Sequence, residues 1–574
     1  MRIVVVGGVA GGMSAAARAR RLDEDAEIIV LERGPHPSFA NCGLPYYVGG
    51  EIADRDELLL HTPESLAETL NLDVRVNHEV IAVDPTARRV RVATAEGIDE
   101  MAYDHLILAP GARAVRPPIP GLDAECVTTL RTVGDAVALR ERVLDGARRA
   151  VVLGAGFIGV EAAEALRLRG LEVALVELSD HVLPPLEREL ASAVRDELTR
   201  LGIAVHDGIG ATAVEYTAVE YHGATTDSGN PPATVILSDD TRIPADVIVL
   251  SVGVTPDTAP FEAAGVACER GAIVVDEHGR TNLDRIWAVG DATVSTDAVT
   301  GMRRPVALAG PANRAGRQVA DAILRPETAR PIPAPLGTAI VRVGELTAAL
   351  TGANRAALDA SGIDYRTMHL HPNSHAGYFP GAEQISLMLH VRAGDGLLLG
   401  AQAVGLDGVD KRIDVLATAI RNHMSAADLI DLDLAYAPPY GSAKDPVNLA
   451  GMIADNIATG TVQLWHAADV DTVLVSSLVL DARSADEYAG GHLPGALNIP
   501  HTEIRERIEE VRAAADGRPV RVYCHSGMRS YLATRALSAS LPDVANLSGG
   551  MLTFLGWFGA AAADHIVADE RTTA

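Results

Sequence analysis

Two stretches of this chain place a β-branched run directly before a glycine turn, a helix and a second strand closed by a glutamate. The first reads Ile3-Val4-Val5-Val6-Gly7-Gly8-Val9-Ala10-Gly11-Gly12-Met13-Ser14, then an Ala/Arg helix, then Ala26-Glu27-Ile28-Ile29-Val30-Leu31-Glu32. The second reads Ala150-Val151-Val152-Leu153-Gly154-Ala155-Gly156-Phe157-Ile158-Gly159, a helix, and Leu171-Glu172-Val173-Ala174-Leu175-Val176-Glu177. A unit of this kind turns backbone N–H groups toward a pyrophosphate at a helix N-terminus, and its terminal acid reaches a ribose hydroxyl. The second unit carries all three glycines of the fingerprint, Gly154, Gly156 and Gly159, with Glu177 about twenty residues further on. In the first, Gly7 and Gly12 fit, Val9 stands where the middle glycine belongs, and an ordinary tight turn would read much the same. Two such units predict two dinucleotides on two doubly wound α/β domains. Glu177 favours the free 2′-hydroxyl of NADH over NADPH, since no arginine sits at that strand end to receive a 2′-phosphate.

The bulk properties narrow the class further. A length of 574 residues allows three or four domains, and 48% hydrophobic content fills their cores. A net charge of −27 argues against nucleic acid or an anionic membrane as partner, although Arg18, Arg20 and Arg21 form a local basic patch. At least one of Arg18 and Arg20 reads as solvated helix surface. Four cysteines, at 42, 126, 268 and 524, are too scattered for a disulfide framework and suit a reducing cytosol. Because the chain opens on a strand, no signal peptide is expected, and no apolar run reaches the ~20 residues a bilayer span needs. A cytoplasmic protein without a metal site is expected.

Cys42 lies in Ser38-Phe39-Ala40-Asn41-Cys42-Gly43-Leu44-Pro45-Tyr46-Tyr47, with no second cysteine nearby. A solitary thiol must pair with an outside sulfur or cycle through a sulfenic acid. Cys524 follows the buried strand Val520-Arg521-Val522-Tyr523 and opens Cys524-His525-Ser526-Gly527-Met528-Arg529. A short loop after such a strand can turn backbone N–H groups toward a sulfur. Cys126 and Cys268 have no motif and read as structural.

In order along residues 1–450, these motifs resemble the flavin- and pyridine-nucleotide-dependent disulfide reductases. Leu106-Ile107-Leu108-Ala109-Pro110-Gly111-Ala112 closes the interrupted first half, and the segment ending Ala288-Val289-Gly290-Asp291 returns to it. The resemblance implies FAD on the first unit, NADH (or NADPH) on the second, and Asp291 at the flavin's ribityl chain. Gly7, Gly8, Gly11, Gly12, Glu32, Arg33, Asn41, Ala109, Gly111, Gly154, Gly156, Phe157, Ile158, Gly159, Glu177 and Gly253 complete the candidate cofactor positions.

Around Cys42 and Tyr46-Tyr47 the sequence looks most like the coenzyme A-disulfide reductases. The resemblance implies a catalytic Cys42, a coenzyme A groove lined by Arg21, Ser38, Asn41 and Cys42, and a homodimer in which Tyr378 and Tyr436 reach the partner's cysteine. Relatives bring a lysine to this groove from the segment matching 65–71, and none is present here. Single-cysteine NADH oxidases and peroxidases are the alternative. In those relatives the first glycine turn carries a histidine, where this chain has Ala10.

From about Val462 the chain resembles the rhodanese family, with Asp481-Ala482-Arg483, Gly491-His492-Leu493-Pro494-Gly495-Ala496 and the Cys524 loop; a catalytically silent module is the other reading. Expected domains are 1–112 with 245–328 (FAD), 113–244 (NAD(P)H), 329–455 (α+β, dimerisation) and 462–565 (small α/β rhodanese). The expected activity is reduction of coenzyme A disulfide, coenzyme A persulfide or polysulfide, with Cys524 relaying sulfane sulfur. Residues 214–234 read as an extended hairpin.

Overall fold

The computed structural model describes residues 1–216 and 233–568. They form two compact units, Met1–Asp180 with Leu201–Gly337, and His181–Arg200 with Thr338–Ala574.

The first unit repeats one topology. Strand Arg2–Val6 lies between His105–Leu108 and Glu27–Glu32, with Ile286–Ala288 and Asp73–Val76 at the edges, all parallel. Strand Arg149–Leu153 lies likewise between Val247–Leu250 and Glu172–Val176, with Val127–Thr128 and Ile203–His206 outermost. Both central strands are apolar on both faces, as parallel sheets covered by helices require. Each sheet carries an antiparallel three-stranded meander, Glu79–Asp84 to Gly97–Ala102 in one and Ala211–Tyr216 to Arg242–Ala245 in the other. Helix Ala10–Leu22 packs on helix Ala309–Leu324 through small residues; a Cβ on Gly316 would stand 2.2 Å from the Gly11 carbonyl oxygen. Late strand Ile286–Ala288 pairs with His105–Leu108, so the second sheet interrupts the first in sequence.

Two boundaries differ from expectation. Residues 245–250 were placed with the FAD domain, yet Val247–Leu250 is hydrogen-bonded beside Arg149–Leu153 in the second sheet. A wholly apolar strand reads alike in either sheet, so only pairing decides. Residues 181–200 were placed in the NAD(P)H domain, but they fall in the second unit. Most of the 214–234 hairpin, residues 217–232, lies outside the described residues; its flanks pair antiparallel, Val214 opposite Val235 and Tyr216 opposite Ala233.

The second unit holds a fully antiparallel sheet, in the order Ala339–Val343, Leu346–Gly352, Leu398–Gly405, Ser386–Arg392, Tyr365–Leu370, backed by helix Val409–Arg421. It also holds a parallel sheet in the order Gln463–Trp465, Val544–Leu547, Val520–Tyr523, Leu478–Asp481, Leu497–Asn498. Helix Pro446–Ala458 precedes it, opened by a capping box on Asp445 and by Pro446, whose missing N–H costs nothing there. Asp445 also takes the buried Arg412 guanidinium at 2.8 Å, and Arg412 donates to the Ser374 carbonyl at 2.7 Å. Arg412 is 1% exposed, so no water can replace a lost partner.

Asp445→Ala removes a helix cap and strands that cation, and is expected to cost ~3–5 kcal/mol. Guanidinium denaturation followed by far-UV circular dichroism should show the loss, and Arg412→Met added to it should recover part.

Candidate active site

Both glycine turns are required by close backbone approach. Gly7 has φ +96°, and a Cβ there would lie 2.1 Å from the Ala109 carbonyl oxygen; one on Gly12 would lie 1.9 Å from the Gly7 oxygen. In the second turn Gly154 has φ +97°, and a Cβ on Gly159 would lie 1.9 Å from the Gly154 oxygen. The closing acids behave alike. Glu32 accepts from the Gly8 and Gly34 N–H groups, each at 2.7 Å, and Glu177 accepts from Ala155 at 2.7 Å and Ser179 at 2.8 Å. Both carboxylates are buried, and each is fixed beside its turn with lone pairs left for a ribose.

Gly156 differs, because a Cβ there would meet nothing within 4 Å. Helix Phe157–Leu168 starts beside it, with Ile158 exposed. Open space in front of a helix N-terminus fits a pyrophosphate, and the donors present fit a dinucleotide on each turn. Gly253, at φ +113°, likewise faces open space. Gly11 serves packing instead, since its Cβ would press on Val289 Cγ2 at 3.0 Å. Arg33 is ion-paired with Asp257.

Cys42 is exposed on the 3-10 turn Asn41–Gly43, ahead of the short helix Leu44–Gly49. That helix sits against Phe157–Leu168: a Cβ on Gly49 would come within 3.3 Å of Ala165, and the Tyr46 hydroxyl donates to Glu161 Oε1 at 3.0 Å. Partial burial pushes the Cys42 thiol up, and Glu161 and Asp291 push it further. The first unit thus brings Cys42, Glu161 and Asp291 together. Asp291 is bridged at 3.1 Å by Arg131, whose Nε donates to the Ala112 carbonyl just past Ala109 and Gly111. Arg131 and Glu161 carry no motif of their own; the available signal for Glu161 is its place two residues after the last glycine of the second turn.

Of the candidate groove, Arg21 is exposed and Ser38 sits at φ +51°, its N–H bonded to the Gly8 carbonyl at 2.7 Å. The basic patch is smaller than expected. Arg20 is buried and donates to the carbonyls of Asp23, Glu24, Leu70 and Asn71, while Arg18 pairs with Asp321 at 2.6 Å. Neither is the solvated surface residue that a helix pattern implied, because both meet partners far along the chain.

Tyr378, Tyr436, Cys524 and Arg529 belong to the second unit. The two tyrosine hydroxyls are 3.1 Å apart, on side chains 76% and 49% exposed. Cys524 is fully buried at the end of strand Val520–Tyr523 and ahead of helix Met528–Ser538. Its Sγ receives the Gly527 N–H and the Ser530 hydroxyl, each at 3.2 Å. Gly527 reaches φ +92°, turning the loop's N–H inward. Arg529 at the rim forms a bidentate pair with Glu487 at 2.7 Å, which holds that carboxyl down to about 2. Donors converge on this sulfur, while carboxylates surround the other.

The pyridine nucleotide-disulphide oxidoreductase family model matches residues 1–316, its dimerisation-domain model 338–446, and the rhodanese-like domain model 463–556. The chain belongs to the pyridine nucleotide-disulphide oxidoreductases. It is a flavin-dependent enzyme of the coenzyme A disulfide reductase type with a C-terminal rhodanese domain. Coenzyme A disulfide reductase of Staphylococcus haemolyticus (strain JCSC1435) is 34% identical over 461 residues, 79% of this chain and 100% of that protein. The crystal structure of reduced Bacillus anthracis CoADR-RHD is 40% identical with a TM-score of 0.92, covering 99% of both chains. The structure of a NAD-dependent persulfide reductase from A. fulgidus is 36% identical with a TM-score of 0.88, covering 96% of this chain and 100% of that one. A water-forming NADH oxidase from Lactobacillus brevis, at 24% identity and a TM-score of 0.73, covers 80% of this chain and 99% of its own, and shares the fold. Among the described residues no helix is long and apolar enough to cross a membrane.

Gly159→Ala is expected to lower the melting temperature through its clash with Gly154. Gly156→Ala should leave melting unchanged, since no protein atom fills that space, yet raise the KM for NADH if the second turn is its site. Alkylation of Cys42 in the FAD-free protein should climb with pH later than for a free cysteine, and Glu161→Gln should shift the profile to lower pH. An unmoved profile would mean that Glu161 does not act on the thiol.

Proposed function

We propose that this enzyme uses NAD(P)H to reduce coenzyme A disulfide, coenzyme A persulfide or polysulfide through Cys42 alone, with Cys524 relaying sulfane sulfur. The observation that carries this reading is two free thiols of opposite character. One is exposed beside a dinucleotide turn; the other is buried in a cradle of donors. The related coenzyme A disulfide reductase and persulfide reductase support both halves. FAD, when bound on the first turn, supplies two-electron transfer from NAD(P)H to a disulfide at Cys42. Glu32, Asp291 and the first-turn N–H groups would hold it, and Glu177 with the second turn would hold NADH in preference to NADPH.

The Cys42 thiolate attacks coenzyme A disulfide, forming a Cys42–coenzyme A mixed disulfide and releasing one coenzyme A thiolate. Two electrons from NAD(P)H then cleave the mixed disulfide, returning Cys42 and a second coenzyme A. With coenzyme A persulfide, attack at the inner sulfur gives the same mixed disulfide and expels hydrosulfide. Tyr378 and Tyr436, exposed and bonded to each other, fit a role in a homodimer where one phenol protonates the departing thiolate at the partner's cysteine. Arg21, Ser38 and Asn41 would line the coenzyme A groove; with Arg18 and Arg20 engaged elsewhere, Arg21 is the cation of that patch left for a phosphate.

At Cys524, the thiolate takes the outer sulfur of a donor persulfide and releases the donor thiol. Coenzyme A thiolate then takes that sulfur and presents it to Cys42. The cradle of Gly527 and Ser530 stabilises the anion at each stage.

Anaerobic assays should show Cys42→Ser inactive on every substrate. Cys524→Ser should keep coenzyme A disulfide turnover and lose transfer from other persulfides. If Cys524→Ser transfers sulfur normally, the relay is wrong. Oxygen or peroxide consumption matching disulfide reduction would favour the sulfenic acid cycle of an oxidase or peroxidase.

A further inference from the structure

The sulfur cradle rests on residues outside its own domain. Gly549 and Gly550, at φ +70° and +63°, form a turn directly beneath the Cys524 loop. A Cβ on Gly550 would stand 2.6 Å from the Cys524 carbonyl oxygen and 2.7 Å from the Gly527 nitrogen. The next two residues fix the loop: the Met551 N–H donates to the Cys524 carbonyl at 2.9 Å, and Leu552 to that of His525 at 3.0 Å. Ser548 leads into the turn; its N–H donates to the Trp465 carbonyl at 2.9 Å within the rhodanese domain, while its hydroxyl meets the antiparallel domain. Its Oγ accepts the His369 backbone N–H at 3.1 Å and lies 2.8 Å from His369 Nδ1.

His369 is itself fixed from behind. Its Nε2 lies 2.8 Å from Glu189 Oε1, and Arg355 bonds both oxygens of that carboxylate. Burial raises the Glu189 carboxyl, but His369 and Arg355 outweigh it and hold it far below the usual carboxylate range. The neighbouring His371, bonded to Thr553 at 2.9 Å, is kept neutral by burial, with His369 and His525 adding, at a value of about 3. Glu189, His369 and Ser548 are all more than nine-tenths buried. The surfaces are built to meet: a Cβ on Gly556 would lie 2.4 Å from the Glu189 carbonyl, and Arg355 stacks over Trp557 at 5.4 Å.

We propose that His369, oriented by Glu189, is a positioning residue for Cys524, so that the antiparallel domain sets the geometry of the sulfur-transfer loop through Ser548. This rests on the reading that Cys524 transfers sulfane sulfur. In that step the Cys524 thiolate attacks the outer sulfur of R–S–SH, the donor S–S bond breaks, and RS⁻ leaves; cyanide then removes the sulfur as thiocyanate. An N–H pointing a fraction of an ångström off the sulfur loses much of its value to the transferring charge.

The test uses the FAD-loaded full chain, glutathione persulfide as donor and cyanide as acceptor. His369→Ala should lower kcat about tenfold with the donor KM little changed. His369→Asn, which still reaches Ser548, should recover most of it, and His369→Gln, which reaches only Glu189, much less. Ser548→Ala should reproduce the loss and add nothing to His369→Ala. FAD content and Cys42-dependent coenzyme A disulfide turnover report folding. Iodoacetamide alkylation of Cys524, read by mass spectrometry, needs no sulfur transfer and should accelerate several-fold in both alanine variants as the cradle loosens. Unchanged alkylation overturns the proposal, as does an Asn variant no better than Ala. Failure of the transfer reading would appear separately, as Cys524→Ser retaining full sulfur transfer.

Discussion

The close approach of backbone to backbone at the two glycine turns governs the first unit. A carbonyl oxygen occupies the place of any side chain at Gly12 and Gly159, so each helix begins directly against the preceding strand. That contact sets a positive helix end beside a carboxylate pinned at the edge of the second strand, the features a dinucleotide site uses. Glu32 and Glu177 are tied by the same pair of bonds to the same pair of positions, which is why two sheets of equal strand order present equal cradles.

The two thiols solve opposite electrostatic problems. Cys42 is surrounded by Glu161, Asp291 and partial burial, all of which disfavour its anion. A thiolate there depends on what binds beside it, which couples reactivity to cofactor and substrate. Cys524 instead receives one backbone N–H and one hydroxyl from its own loop.

The second unit spends buried charge to hold its two sheets in register with one another. Arg355 bonds Glu189 and Glu187, and Glu189 also meets His369, so one cluster of charged groups ties these elements together. Arg412 and Asp445 do the same at the start of the helix that leads into the rhodanese domain.

Residue order alone determined the features that depend on neighbours a few positions away: both glycine turns, the acids closing their strands, the lone Cys42, and the Cys524 loop. Those signals survive in sequence because turn geometry and helix starts are set within a dozen residues. Tertiary structure decided whatever needed a distant partner. Arg20 reads as a surface residue until carbonyls from Leu70 and Asn71 enclose it, and strand Val247–Leu250 joins the second sheet only by pairing with Arg149–Leu153. Glu189, His369 and Ser548 carry no motif, since hydrogen bonds spanning about 180 positions leave no periodicity to read.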